Sequence, residues 1–389
     1  MRNRVRLFSF ITSSLFCVPA ILAQTNPPPP DPQELVTKQP RILSKAADRS
    51  AALDLLERAR RNSNLRDITS PYAVKVSFET TGDTQTEVLG TMDELSDGGH
   101  HWRWSTQLQD SPVIRLGDEG HSYGSNPNEP VPLRVQQLRS ALHWPIMRNA
   151  AASAIRAANV ERDGKAVTCL LLSASIPENP APRSWVENEY CIETATGLLQ
   201  MWSVAPGIYA LYDYSGAGEF HGHTFPRQVS VFEQGRLAVQ ARVESLEDAP
   251  NLDPKVFEPT QQMLDAGAAF TLASPSRFPM RVDPSDAPTS TFFQPVIVHA
   301  TLDAQDGHVI EAEALQNSDR DLSRAATEIV RGNSFAPSGF QQEVFINVQF
   351  HLPAAQMDGP PLFHIPVRWV IWDHRVKRRP VKFPPRAGG

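Results

Sequence analysis

The chain has 389 residues, of which 41% are hydrophobic, and its 37 basic and 43 acidic residues leave a formal net charge of −6. A chain of this length is expected to form two or three domains with packed cores. The mildly acidic balance gives no reason to expect nucleic acid as a partner. The 34 prolines cluster between the predicted elements, which is typical of linkers.

The first 23 residues have the pattern of a secretory signal. Three arginines precede an apolar run over residues 7–23, and a small residue stands at its end. We therefore predict a signal peptide over 1–23 and a location in the periplasm or cell envelope. A retained membrane anchor over the same residues is the alternative. A Pro-rich linker over 24–47 is predicted to follow.

Residues 48–272 are predicted to form one antiparallel domain. A helix is predicted over 48–61, and a helical region over 133–158 that Pro145 interrupts. Strand-like runs occur at 72–80, 86–95, 101–108, 113–116, 166–175, 185–192, 198–204, 209–214, 228–232 and 237–244. Sequential strands separated by glycine-containing turns are typical of an antiparallel sheet or an open barrel.

Three segments in the second half of this region share a pattern. They are Ile192-Glu-Thr-Ala-Thr-Gly197-Leu, Phe225-Pro-Arg-Gln-Val-Ser-Val-Phe-Glu-Gln-Gly235 and the run from Val239 to Leu246. This pattern resembles the lipoprotein-carrier (LolA-like) half-barrel group. The resemblance implies a curved sheet closed by helices, with an apolar cavity for acyl chains or lipidated partners. Candidate lining residues are Trp102, Trp104, Trp202, Phe220 and Phe232, for which ordinary core packing is the alternative.

Two cysteines remain once the signal peptide is removed. Cys169 and Cys191 lie on neighbouring predicted strands, and an exported chain enters an oxidising compartment. We predict a disulfide between them, with two buried thiols as the alternative. A loop of about 20 residues closed in this way would stabilise the fold by roughly 3 kcal/mol.

Residues 291–353 are predicted to form a β-β-α-β unit after a linker over 273–290. Two alternating runs, 295–303 and 308–315, flank a turn that contains Asp-Gly, which is a hairpin signal. An apolar stripe then predicts a helix, and a last strand is predicted over 343–352. The stripe consists of Leu322, Ala325, Ala326, Ile329 and Val330.

This order of elements resembles the TonB C-terminal domain. The resemblance is carried by the hairpin strands, the helix Asp321-Leu-Ser-Arg-Ala-Ala-Thr-Glu-Ile-Val330, the Phe335-Ala-Pro337 element and the closing strand. It implies a domain that binds an envelope partner by strand addition, such as a segment of an outer-membrane barrel transporter. We expect the last strand to be the binding edge, with closure of the domain's own core as the alternative. The candidate contacts are Phe345, Asn347, Gln349 and His351.

The C-terminal tail, residues 354–389, is Pro-rich and basic. Within it, the apolar and alternating run 362–372 is predicted as an additional strand. Such a strand would pair with the same sheet and cap the edge proposed for the partner.

An enzyme reading rests on a G-x-S-x-G pattern centred on Ser122. A secreted serine hydrolase of this kind would use Ser122 as nucleophile, with the base among His143, His221 and His223. The pattern requires a helix soon after the serine, whereas residues 125–132 contain three prolines. Hydrolase function is therefore a distant alternative.

Two histidine pairs are candidate metal ligands, His100-His101 and His221-Gly-His223. Neither has an acidic residue or a cysteine at a diagnostic spacing. We expect solvent-facing histidines there, no metal and no cofactor.

These patterns predict an α+β protein, an antiparallel half-barrel with helices followed by a small β-β-α-β domain. The first hypothesis for its function is a non-catalytic envelope protein that binds a partner by strand addition in transport across the outer membrane. The alternative is a periplasmic lipid or lipoprotein carrier whose half-barrel holds acyl chains. The expected partners are an envelope protein, a lipid or an acyl chain.

Overall fold

A computed structural model describes residues 40–81, 87–108, 111–117, 122–125, 131–146, 154–173, 187–205, 207–233, 235–267, 276–281, 292–303, 305–315, 320–337 and 342–352. The predicted signal segment over 1–23 lies outside these residues, as do the tail over 354–389 and its predicted strand over 362–372. Among the residues that are described, no helix is both long enough and apolar enough to cross a bilayer.

Thirteen antiparallel strands form one large sheet. In chain order the fifteen strands described in this part of the chain, two of which lie outside the large sheet, are β1 (Arg41–Ile42), β2 (Tyr72–Thr81), β3 (Glu87–Ser96), β4 (Trp102–Leu108), β5 (Ser111–Gly117), β6 (Ser122–Gly124), β7 (Ala154–Arg162), β8 (Lys165–Ser173), β9 (Asn188–Glu193), β10 (Leu199–Ala205), β11 (Ile208–Asp213), β12 (Glu219–Phe220), β13 (His223–Thr224), β14 (Gln228–Glu233) and β15 (Arg236–Asp248). Their order in the sheet is β1-β7-β8-β9-β10-β11-β14-β15-β2-β3-β4-β5-β6, and β12 and β13 form a separate hairpin.

The pairing of β15 with β2 joins the two halves of the large sheet. Strand β15 lies antiparallel to β2 from Val239 opposite Thr80 to Asp248 opposite Tyr72. Along β2 buried and more exposed residues alternate strictly, which is the two-residue period of a strand with one buried face. The predicted strands of residues 48–272 are therefore confirmed as one antiparallel sheet.

Two helices cover one face of the large sheet, which we call its inner face. Helix α1 (Ala46–Ser63) contacts β9, β10 and β13, and helix α2 (Leu133–His143) contacts β14 and β15. The buried residues of α1 recur at the spacing of one helical stripe. They are Ala52, Leu55, Leu56, Ala59 and Ser63. A short helix, α3 (Gln261–Ala266), begins at Thr260, whose hydroxyl accepts from the Met263 amide at 3.3 Å.

The predicted helical region over 133–158 is wrong in its last part. The helix ends at His143, and residues from Ala154 onward form β7. Strand β7 turns into β8 through Asp163 and Gly164, which both have positive φ, at 52° and 74°. Asp-Gly with two positive φ values is the two-residue hairpin turn that matches the twist of strands. Tertiary pairing therefore outweighed the helical tendency of this alanine-rich segment.

A second sheet of four strands follows in the C-terminal part. Its elements are β16 (Ser276–Arg281), β17 (Phe292–Leu302), β18 (Val309–Ala314), helix α4 (Arg320–Arg331) and β19 (Gln342–Leu352). The predicted β-β-α-β order is present. Gly307 has a φ of 69° in the β17–β18 turn, and a Cβ there would lie 2.0 Å from the Phe335 carbonyl oxygen, so only glycine fits. Helix α4 packs Ala326, Ile329 and Val330 on this sheet.

The order of the second sheet is β16-β19-β17-β18, which differs from the expectation in two respects. Strand β16 lies in the segment 273–290 that the sequence predicts as a linker. It pairs parallel with β19, from Ser276 opposite Val344 to Arg281 opposite Gln349. Strand β19 therefore has a neighbour on both sides, and the prediction that it is a free edge is wrong.

The coarse fold class is confirmed as α+β, a mostly antiparallel sheet with a few helices. One parallel pair, β16 with β19, is the exception among the strands that the structure describes.

Candidate functional site

Helix α2 is buried along its whole length, although more than half of its residues are polar. All of its 11 residues are buried. The polar ones are Arg134, Gln136, Gln137, Arg139, Ser140 and His143. On one side the helix meets the large sheet, and on the other its side chains reach Thr301 and Glu313 of the second sheet. A buried polar group without a partner is destabilising, so this helix depends on polar partners on both sides.

Arg134 connects the two sheets. Its guanidinium forms an ion pair with Glu233 of β14 and another, at 3.1 Å, with Glu313 of β18. Gln137, one turn along the helix, donates from Nε2 to Glu233 Oε1 at 2.8 Å and accepts from Arg134 at 3.0 Å. Since the side chain of Glu233 is fully buried, its charge depends on nearby donors. The second sheet is thus held to α2 by charge as well as by packing.

A second buried cluster lies at the other end of α2. Glu94 Oε2 accepts from Arg139 at 3.0 Å and lies 2.9 Å from His143 Nε2. Burial by itself raises the pKa of Glu94, but His143 and Arg139 outweigh it and lower that pKa to about 2. Burial also lowers the pKa of His143, so the imidazole is neutral at pH 7 and Arg139 is the cation beside Glu94.

Three indole rings surround Arg139. Its guanidinium carbon lies 4.5 Å from the ring centroid of Trp104, 5.7 Å from that of Trp102 and 5.8 Å from that of Trp144. Arg66 approaches two of the same rings at 5.7 Å. Cation–π contacts of this kind are stronger when they are removed from water. Trp102 and Trp104, predicted as lining residues, therefore belong to a packed charge cluster.

A partly open cavity with an empty volume of about 360 Å³ lies between α2, the inner face of the large sheet and β19. It is lined by Gln137, Ser140 and Ala141 of α2, by Trp202, Val204, Ile208, Tyr209, Ala210 and Val231 of the large sheet, and by Phe345 of β19. Most of these side chains are apolar. A concave and largely apolar site with a few polar groups is the usual form of a small-molecule site.

The wall of the cavity follows from strand register. Trp202 of β10 lies opposite Ala210 of β11, which lies opposite Val231 of β14. The large indole thus faces a small residue, which leaves open space beside it. The two-residue period places Val204 and Ile208 on the same face. Phe232, the neighbour of Val231, points the other way and stacks on Tyr209 with ring centroids 5.0 Å apart.

Of the five predicted lining residues, Trp202 alone contacts this cavity. Phe232 packs in a cluster on the outer face with the cysteines, and Phe220 is a partly buried residue at the margin of the main core. The sequence offered no signal for Gln137 and Ser140, because a polar helix that is wholly buried looks like an exposed one.

Phe345 closes the cavity from the side of the second sheet. It is 3% exposed and stacks on the buried His299 with ring centroids 4.6 Å apart. It was predicted as a contact for an outside partner, whereas the structure directs it into the protein. The backbones of Asn347, Gln349 and His351 pair within the sheet, and their side chains lie outside the described set. Partner binding by these three residues stays a prediction.

The predicted disulfide is present. Cys169 of β8 lies directly opposite Cys191 of β9, and the sulfur atoms are bonded at 2.02 Å. Both residues are buried on the outer face of the sheet with Met201, Tyr209 and Phe232.

The geometry of a nucleophile elbow is not present at Ser122. The residue begins the strand β6, which pairs with β5, and is not on a turn before a helix. Each candidate base has another partner. His143 contacts Glu94 and His221 Nε2 lies 2.5 Å from Asp248, while His223 contacts a backbone carbonyl of α1.

Three potential metal ligands, Asp303, Asp306 and His308, approach within 4.8 Å in the β17–β18 turn. Their hydrogen bonds already shape this turn. Asp303 accepts from the Gln305 amide at 2.7 Å, and Asp306 accepts from the His308 amide at 2.9 Å. We therefore interpret Asp303, Asp306 and His308 as residues that stabilise the turn.

No protein-family model and no curated protein matches the sequence. Among solved structures, a LolA superfamily protein from Nitrosomonas europaea is 12% identical, covers 54% of this chain and 97% of its own, and has a TM-score of 0.36. A putative outer membrane lipoprotein-sorting protein domain from Vibrio parahaemolyticus is 8% identical, with coverages of 54% and 94% and a TM-score of 0.32. MucB is 14% identical, with coverages of 66% and 76% and a TM-score of 0.25.

These similarities are too low to assign a family or a function. The predicted resemblance of residues 291–353 to the TonB C-terminal domain finds no support in the comparisons.

Proposed function

We propose that the protein is a non-catalytic periplasmic carrier that holds the acyl chain of a lipid or lipoprotein. The observation that supports this most is the apolar cavity between α2 and the inner face of the large sheet. Its empty volume of about 360 Å³ includes space that is open to solvent, so the site is a cleft and not an enclosed chamber. A partly open cleft with an apolar lining can receive a flexible acyl chain from outside.

The apolar lining of the cavity can bind a ligand through the hydrophobic effect. Each methylene group removed from water contributes about 0.8 kcal/mol. About ten buried methylenes would contribute about 8 kcal/mol, which corresponds to a Kd on the order of 1 μM before ordering costs. Such a ligand is held and still released, as a carrier requires.

Two features support a periplasmic location. The predicted signal over 1–23 would export the chain, and the buried Cys169–Cys191 disulfide suits an oxidising compartment.

The test is binding of a fluorescent fatty acyl probe to the delipidated protein. Replacing Ala210 by Phe fills the cavity opposite Trp202, so we expect binding to fall at least tenfold. Overpacking lowers the stability of the fold by on the order of 1–3 kcal/mol. Circular dichroism of the variant checks that it still folds. The same change at the exposed Ala266 is the control. Undiminished binding to Ala210→Phe, or none to the unmodified protein, would refute the proposal.

Strand addition is the second candidate function, at a different strand from the one predicted. In the part of the chain that the structure describes, β18 is an outer strand of the second sheet, whereas β19 is an inner one. Photo-crosslinking from Ile310 in intact envelopes, with Asn347 as the comparison site, tests this reading. An adduct of an envelope protein at both sites or at neither would count against β18 as the edge.

A further inference from the structure

The indole of Trp202 lines the cavity and carries a buried hydrogen-bond donor. Its side chain is buried, with 8% of the residue exposed, and it forms part of the cavity wall. Among the described residues, no acceptor lies within hydrogen-bond distance of its Nε1 atom. Buried N–H groups in folded proteins almost always have a partner, so one without an acceptor at a ligand cavity points to an acceptor on the ligand.

Other groups near this donor are already engaged or lie elsewhere. The side-chain amide of Gln137, also in the cavity wall, donates to Glu233 and accepts from Arg134. The indole N–H groups of Trp104 and Trp144 also have no acceptor among the described residues, but their rings pack around Arg139, away from the cavity. Trp202 therefore combines a donor that has no acceptor with a position in the cavity wall.

The surroundings select a neutral acceptor. Val204, Ile208 and Val231 are apolar, and the two charged groups behind Gln137, those of Glu233 and Arg134, are paired with each other. A free carboxylate brought into this site would lose its hydration and receive only one neutral donor. The carbonyl oxygen of an ester or amide loses much less hydration free energy on entering the site.

We propose that the ligand is an acyl ester or acyl amide whose carbonyl oxygen accepts a hydrogen bond from Trp202 Nε1, while its chain lies along the apolar wall. This inference rests on the proposed carrier function and names the chemical class of its ligand. Trp202 acts as a specificity-determining residue that distinguishes acyl esters and amides from alkyl ethers of the same length.

The test compares two matched probes on the full chain by titration calorimetry. Monododecanoylglycerol contains the ester carbonyl, and 1-O-dodecylglycerol replaces it by an ether methylene. We expect the unmodified protein to prefer the ester by about 3- to 10-fold, the range of one neutral hydrogen bond. Trp202→Phe keeps an apolar ring and removes the donor, so the preference should disappear. Trp144→Phe removes a partly buried indole outside the cavity and should retain the preference.

Each outcome decides something distinct. Equal affinity of the unmodified protein for both probes overturns the acceptor assignment and leaves the carrier function standing. A preference that survives in Trp202→Phe overturns the role of Trp202. Failure of both probes to bind overturns the carrier function itself.

A second measurement applies if Trp202→Phe does not fold. In the unmodified protein labelled with ¹⁵N-indole, one indole proton should shift downfield with the ester and not with the ether. No such difference overturns the proposal.

Discussion

Replacing Arg134 by Met tests whether the two sheets are joined through a buried charge. Met has a similar unbranched stem, so packing changes little while the charge is lost. The Arg134 side chain is 7% exposed and that of Glu233 is fully buried, whereas that of Glu313 is 28% exposed. Removing one partner of a buried ion pair costs about 3–5 kcal/mol, because the other charge remains away from water.

The two carboxylates should therefore respond very differently. Glu313→Gln removes a partner that water can replace, so we expect the free energy of unfolding to fall by less than about 1 kcal/mol. When Arg134→Met is combined with Glu233→Gln, the buried carboxylate that lost its partner is also removed. The double variant should therefore recover a substantial part of the free energy of unfolding that Arg134→Met loses.

The assay is urea-induced unfolding followed by circular dichroism and by tryptophan fluorescence. A lower midpoint at an unchanged slope reports a change in stability. If the two signals separate in Arg134→Met, the second sheet has become an independent unit. A loss below about 1 kcal/mol for Arg134→Met, or an equal loss for Glu313→Gln, would refute the reasoning.

Three further predictions concern other parts of the molecule. Reducing the Cys169–Cys191 bond, which spans 22 positions, should lower the free energy of unfolding by about 3 kcal/mol, measured by urea unfolding with and without reductant; an unchanged midpoint would contradict this. Because burial lowers the pKa of His143 from 6.5, the unfolded chain binds a proton that the folded chain does not. Stability should therefore fall below pH 6.5 by up to about 1.4 kcal/mol per pH unit. His143→Gln should flatten this dependence over pH 7.5 to 5.5, whereas the exposed His221→Gln should not; equal slopes would contradict the assignment. Phe345→Ala should lower the free energy of unfolding by about 3–5 kcal/mol, because Phe345 is buried. The same change should lengthen the acyl chain that binds best in a series of probes of increasing length. An unchanged optimum would show that β19 does not limit the length of the site.

Local patterns in the sequence were reliable where one face of an element is buried. The helix over 48–61 and the strand over 72–80 were both predicted close to the observed bounds of α1 and β2, because each element has a period that its residues follow. The Cys169–Cys191 pair was found for a related reason, since neighbouring antiparallel strands bring their residues opposite one another. The Asp163-Gly164 turn also has a clear local signal, although the alanine-rich segment before it has a helical composition.

The candidate site was hidden from such patterns. Whether Trp104 lines a cavity or surrounds Arg139 depends on where α2 lies over the sheet, and no local period encodes that position. Phe345 was assigned to an outside partner because its strand was read as an edge, and only the pairing of β16 with β19 makes it an inner strand.

By itself, then, the sequence determined most strands of the large sheet, where the two cysteines meet and that the C-terminal part has the order β-β-α-β. Those properties depend on residues close in the chain or on adjacent strands. Tertiary structure alone decided that a polar helix is buried between two sheets, that Arg134 joins them and which of the five candidate lining residues stands at a cavity. These features depend on contacts such as that of Arg134 with Glu313, 179 positions apart, whose formation rests on the packing of the whole chain.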